Sequence, residues 1–155
     1  MLIAGFDPGS LFFGLAVVEI SADSGIVFRH AETVKLGRAS FMKRMELLWN
    51  ELSRLHELFQ LDCVAVEEAF LGKNVHALSV LAATRGVALA SLLEKKVAAF
   101  FYSPREVKLA LTGNGAADKE QVAFMVKNLL RLDRNLAPDE SDALAVACCH
   151  AMQIR

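Results

Sequence analysis

The chain is notable first for what it has little of. No uncharged stretch reaches the ~18 residues of a membrane-spanning helix. The longest run, near Ala143 to Ile154, falls well short and carries His150 and Gln153. No basic segment precedes the N-terminal apolar run, and Asp7 interrupts that run early, so a secretory leader is not expected. Cysteine is scarce: three residues, an odd number, with Cys148 and Cys149 adjacent. That excludes a disulfide framework and points to a reducing, cytoplasmic setting. Cys148-Cys149-His150 lacks the spaced second pair of a structural zinc site, and small apolar packing explains it better. Excess charge is also missing. A net charge of -1 excludes a coat of basic residues but not a local basic face that binds phosphate. No internal repeat, low-complexity tract or linker divides the chain, so residues 1–155 are read as a single domain. Its 54% hydrophobic content is enough for a substantial core.

What is present is an ordered series of elements. An apolar strand, Leu2 to Phe6, runs into Asp7-Pro8-Gly9-Ser10, where proline then glycine suits the centre of a type II turn. Strands follow at Gly14–Ile20 and near Ile26–Leu36, an antiparallel meander. Ser40 can cap a helix whose stripe is Met42, Met45, Leu48, Leu52, Leu55 and Phe59. A strand of Cys63 to Val66 ends at Glu67. The helix from Val75 to about Glu94 is apolar around most of its circumference, so it is either central or packed on another subunit. Val97–Tyr102 is the fifth strand. Ser103-Pro104-Arg105-Glu106 and Asp118-Lys119-Glu120-Gln121 are capping boxes. Between them Gly113-Asn114-Gly115 reads as a flexible joint. The second box opens a helix with Val122, Met125, Val126, Leu129 and Leu130 on one face. Pro138 precedes the last helix, Asp139 to about Met152. The order predicts an α/β fold: a five-stranded mixed sheet, three antiparallel strands then parallel crossovers, flanked by helices.

Four carboxylates stand out. Asp7 and Glu67 end apolar strands, and Asp139 and Asp142 share one face at the start of an apolar helix. Acids at core strand ends are costly to desolvate unless a cation shares the site. Two such groups at ~4 Å repel by about 4 kcal/mol at an effective dielectric of 20. Without metal, at least one of the four should hold a proton at a raised pKa. Two divalent ions, ~3.5–4 Å apart, would relieve the repulsion and suit phosphoryl chemistry. Taken singly, each acid has a plainer role: Asp7 as turn residue, Asp139 as helix cap, Glu67 and Glu68 as a solvated strand end. Between Arg105 and Arg131 five basic residues face three acidic ones, a balance that also fits a solvated surface.

Taken in order, several pieces resemble the RuvC family of Holliday junction resolvases, within the ribonuclease H-like superfamily. They are Gly5-Phe6-Asp7-Pro8-Gly9-Ser10, Val64-Ala65-Val66-Glu67-Glu68-Ala69-Phe70 with Lys73-Asn74, Arg85-Gly86, Val107-Lys108, Gly113-Asn114-Gly115, Lys119-Glu120-Gln121-Val122 and Asp139-Glu140-Ser141-Asp142-Ala143-Leu144-Ala145. The resemblance implies a ribonuclease H-like fold and a metal-dependent endonuclease that resolves four-way DNA junctions by paired symmetric nicks. It puts the acidic tetrad on Asp7, Glu67, Asp139 and Asp142, with Glu67 preferred to Glu68. It implies Mg²⁺ or Mn²⁺ as cofactor, with two ions in each site. It gives phosphate-binding and catalytic roles to Lys108 and Lys119, with Lys73 at the DNA and Phe70 against the junction centre. It further implies a homodimer built on the Val75–Glu94 helix, branch-migration proteins as partners, and no membrane. Two other readings are a non-catalytic junction-binding dimer and a related nuclease acting on other branched DNA or RNA. The Asp-Pro-Gly-Ser loop also resembles the phosphate loop of actin-like ATPases, which need two such domains.

Overall fold

Leu2–Pro8 forms β1, Phe12–Ser21 β2 and Gly25–Lys35 β3; the computed structural model describes residues 1–68 and 75–154. β1 pairs antiparallel with β2, and β2 with β3. The chain continues through α1 (Phe41–Leu58), β4 (Cys63–Glu67), α2 (Val75–Lys95) and β5 (Ala98–Tyr102). It closes with α3 (Pro104–Thr112), α4 (Lys119–Leu129) and α5 (Pro138–Gln153). β4 runs parallel to β1 and β5 parallel to β4, so the sheet order is β3-β2-β1-β4-β5. The expected mixed five-stranded sheet is present. β1 is its centre, which is why it reads as an almost unbroken apolar run: helices cover both faces.

One face carries Ile3, Ala16, Val18 and Ala65 against α3, α4 and α5; the other carries Phe6, Leu15, Val17 and Val64 against α1 and α2. The fit of α5 is unusually close. A Cβ on Gly5 would lie 1.9 Å from the Ala143 carbonyl oxygen, and one on Gly14 2.2 Å from that of Asp139. Neither glycine has positive φ; each is needed for its missing side chain. The small residues Ala143, Ala145, Ala147, Cys148 and Ala151, all buried, complete this contact. Cys63, Cys148 and Cys149 are free and buried, as the apolar-packing reading expects. Burial pushes the Cys148 thiol up to about 12 and the Cys149 thiol to about 11.

Local details differ from expectation in instructive ways. β1 extends through Pro8, paired with Phe13, and Gly9 has no positive φ, so Pro8-Gly9 is not the centre of a type II turn. Gly9 is required because a Cβ there would lie 2.2 Å from the Phe12 carbonyl oxygen. The Gly113–Gly115 joint is stapled rather than loose. Gly113 caps α3 at φ 73, Thr112 Oγ1 accepts from Asn114 N at 3.1 Å, and Asn114 Oδ1 accepts from Ala116 N at 3.0 Å. Met42 and Met125, assigned to buried stripes, are exposed. α2 is buried along one stripe only, Val80, Thr84, Ala88 and Leu92, while Ala82, Gly86, Ala90 and Leu93 stay exposed. Its segment Ala77–Lys95 is long and apolar enough to cross a membrane by length and composition, with 28% of that window buried.

The α5 contact yields a first prediction. Gly5→Ala should lower the unfolding free energy by about 2 kcal/mol or more, because the obstructing atom is helix backbone and cannot rotate away. Urea denaturation measures this, and wild-type stability in the variant would refute the close fit.

Candidate active site

The parallel β1–β4 ladder pairs Ile3 with Cys63 through Phe6 with Val66. The next step along it sets Asp7 abreast of Glu67, at the carboxyl ends of two adjacent core strands. Their carboxyls lie close enough to share a hydrogen bond when one of them is protonated. α5 reaches the same end of the sheet. Its first turn holds Asp139, whose carbonyl abuts Gly14, and Asp142 follows one turn on. The Asp139 carboxyl is not spent on capping. Ala137 is the N-cap position, and it is Glu140 that accepts from Ala137 N at 3.0 Å while Arg134 holds its carboxylate at 3.0 Å. Both aspartates sit at the positive end of the α5 dipole.

The electrostatics follow from this geometry. Burial, and then the Glu67, Asp142 and Asp139 charges, push Asp7 up to about 8. Glu67 is also raised, first by burial and then by Asp142. Asp7 and Glu67 titrate as a pair that retains one proton near neutrality, as the sequence argument required. Asp142 is balanced differently: Lys119 Nζ lies 2.6 Å from its Oδ2. That hydrogen bond raises the lysine pKa. The Lys119 side chain is 77% exposed and that of Asp142 20%. An ion pair this wet contributes about 0–1 kcal/mol, so its ammonium is readily surrendered to another anion.

Lys108 joins Lys119, Glu67, Asp142 and Val107 around a cleft of about 280 Å³. The expected acids and these two lysines are therefore brought to one place. Phe70 and Lys73 lie outside the described residues. Glu68 also lines the cleft but is exposed, and its amide donates to the Tyr102 carbonyl at 2.8 Å. Sequence reasoning passed over Pro104 and Val122 as cleft walls; both belong to helix starts recognised by their capping boxes, which was the available signal.

The donor set at the acids is all oxygen and carries more negative charge than Lys119 offsets, which suits a hard divalent cation. Among the described residues no three acidic, imidazole or thiol groups converge closely enough to hold an ion by themselves. The site is open, leaving positions on an ion for water or substrate oxygens. The stapled joint before α4 fixes where Lys119 starts, since Asp118 caps that helix through Gln121 N at 2.8 Å.

Known proteins are similar to the chain in sequence and in fold. A family model described as crossover junction endodeoxyribonuclease RuvC matches residues 3–150. The crossover junction endodeoxyribonuclease RuvC of Xanthomonas axonopodis pv. citri is 40% identical over 152 residues, 96% of this chain and 86% of that protein. The structure of Thermus thermophilus RuvC in complex with Holliday junction substrate is similar with a TM-score of 0.93 at 32% identity, over 100% of this chain and 95% of that one. The yeast mitochondrial Holliday junction resolvase Ydc2 shares the fold, with a TM-score of 0.73 at 12% identity over 97% of this chain and 77% of its own.

The raised carboxyls make stability depend on pH. The folded state binds a proton that the unfolded state has released once pH exceeds the ordinary value of 3.8, until Asp7 itself titrates at about 8. Stability from this site therefore falls as pH rises between those limits. In chelator, Tm should decline from pH 5 to pH 8, and Asp7→Asn should flatten that decline and melt higher than wild type at pH 8. Thermal melts across pH check this; parallel profiles would contradict the charge cluster.

Proposed function

The chain belongs to the RuvC family of crossover junction endodeoxyribonucleases, and from that premise we propose that it resolves four-way DNA junctions by paired, metal-dependent nicks at the acidic site. The observation that carries this reading is the placement of Asp7 and Glu67 on adjacent strands at the sheet end reached by Asp139 and Asp142 of α5, close enough that the three neighbouring charges add to burial in raising the Asp7 carboxyl. Such a cluster is unfavourable in the free protein and becomes favourable when cations enter. Asp7, Glu67, Asp139 and Asp142 would hold the metal, Mg²⁺ or Mn²⁺, as two ions in each site. A divalent cation there lowers the pKa of a water and offsets charge that builds on oxygens around phosphorus.

The protein's own side chains do the rest. Asp7 and Glu67 would both serve as ligands in their ionised forms, with the proton that Asp7 holds in the free protein given up to solvent. Lys119 leaves Asp142 for a phosphate oxygen, an exchange that costs little because its ion pair is exposed. Lys108, across the same cleft, holds the backbone beside it. Val107 and Val122 narrow the cleft and limit water around the scissile group. Phe70 would meet the opened bases at the junction centre, and Lys73 a nearby phosphate.

A symmetric junction asks for two such sites. The exposed stripe Ala82, Gly86, Ala90 and Leu93 runs along one side of α2, and its small residues allow a second copy of the helix to approach about a two-fold axis. This isologous pairing supplies the homodimer. The free, buried thiols suit the reducing cytoplasm where such a dimer would meet DNA.

Labelled four-way junction and linear duplex, each with Mg²⁺, Mn²⁺ or chelator, test the activity. Paired nicks are expected in the junction alone and only with metal. Equal cutting of duplex would remove junction selectivity, and binding without cutting in both metals would leave a non-catalytic junction binder. Asp7→Asn should abolish cleavage while junction binding persists, and Lys119→Ala should reduce the salt slope of binding by about 0.9. Leu93→Glu should convert the dimer to monomer in analytical ultracentrifugation; an unchanged mass would move the interface elsewhere.

A further inference from the structure

Arg44 stands one helical turn before Leu48 on the buried stripe of α1. Among the described residues it is the one buried lysine or arginine, 9% exposed. Its Nη1 donates to the Ser10 carbonyl at 3.2 Å, and its Nε has no hydrogen-bond partner. Among the described residues no carboxylate pairs with it. A buried guanidinium with one bond and no counter-charge is costly unless an anion completes it.

The surroundings provide the place. Arg44 lines a cavity of about 360 Å³ with Ser10, Leu11, Gly37, Arg38 and Val80, and no acidic residue is among its described walls. Arg38 is exposed at the rim. The floor is held firmly. The amides of Leu36 and Gly37 both donate to the Leu11 carbonyl, at 2.9 and 3.0 Å, and Thr84 Oγ1, which donates to the Leu81 carbonyl at 2.8 Å, lies 3.4 Å from the Gly9 carbonyl oxygen. Ser10 follows Asp7 by three residues, so the cavity mouth is within ~11 Å of chain from the acids.

We propose that this cavity is a second phosphate seat, taken by a backbone phosphate of the bound DNA other than the one that is cut. Arginine suits the role because its planar fork matches phosphate oxygens in pairs. A small turn of the Arg44 guanidinium presents Nε with an Nη group, and Arg38 closes over the anion from the rim. The same guanidinium holds the Ser10 carbonyl, so an occupied seat ties the position of the DNA to the turn that follows Asp7. That the anion belongs to DNA rests on the junction-nuclease reading; a demand for phosphate chemistry does not.

The full-length protein in chelator is titrated with four-way junction and, separately, with inorganic phosphate, following the Arg44 Nε–H resonance by ¹⁵N NMR. The junction should shift that resonance. In parallel, Arg38→Ala should lower the slope of log K against log salt for junction binding by about 0.9, one phosphate contact. An unmoved resonance with junction, or a wild-type slope in Arg38→Ala, overturns the seat; a shift with inorganic phosphate alone overturns DNA as its occupant. Cleavage assays separate the two readings. Wild-type cutting together with an unmoved resonance would sink the seat alone. A shifted resonance without cutting in Mg²⁺ or Mn²⁺ would sink the nuclease reading alone.

Discussion

The contact between α5 and the two glycines of the central strands governs the rest of the molecule. Gly5 and Gly14 let the helix backbone settle directly on β1 and β2. That seating carries the α5 N-terminus, with Asp139 and Asp142, to the sheet end where Asp7 and Glu67 stand. A helix held one side chain farther away would still cover the core. It would not bring Asp139 and Asp142 within electrostatic reach of Asp7. Fold and chemistry therefore share a single steric condition, and the small side chains along α5 are its other half.

The same seating creates an electrostatic debt, which the free protein settles in two ways. A proton is kept between Asp7 and Glu67, and Lys119 covers Asp142. Both are provisional partners: a proton exchanges with solvent, and an exposed ammonium swings away. Local conflict with stability at a site that agrees with the fold everywhere else is the usual mark of function.

Much of this was legible in residues because its causes are local. The capping boxes at Ser103 and Asp118 depend on a few neighbours and formed as read, whereas the joint read as loose at Gly113-Asn114-Gly115 is a left-handed stop held by side-chain bonds. Strand ends at Asp7 and Glu67 follow from apolar runs meeting an acid. What was not legible depends on distant partners. Pro8-Gly9 carries a turn signature, yet the β2 ladder draws Pro8 into β1, so tertiary pairing outweighs turn preference. Met125 is apolar at helical spacing, but it stays 38% exposed. α2 looks buried all round, while the structure covers one stripe and leaves Leu93 79% exposed; an interface with another copy has the same composition as a core. Arg44 could have been found, since it precedes Leu48 by four residues on the stripe, but a charge in that position is usually read as solvent-facing. The Asp139 ambiguity needed coordinates, because only they show the capping work passing to Glu140.

The buried thiols have a consequence for exposure to oxidants. Oxidants attack thiolates, and a thiol raised to about 12, as at Cys148, is ionised at neutral pH on the order of one part in a hundred thousand. Cys148 and Cys149 are adjacent in the helix that positions two of the acids, so their oxidation would disturb the active end directly. Burial keeps them unreactive. The helix that positions Asp139 and Asp142 thus carries its two thiols where an oxidant in solvent does not meet them.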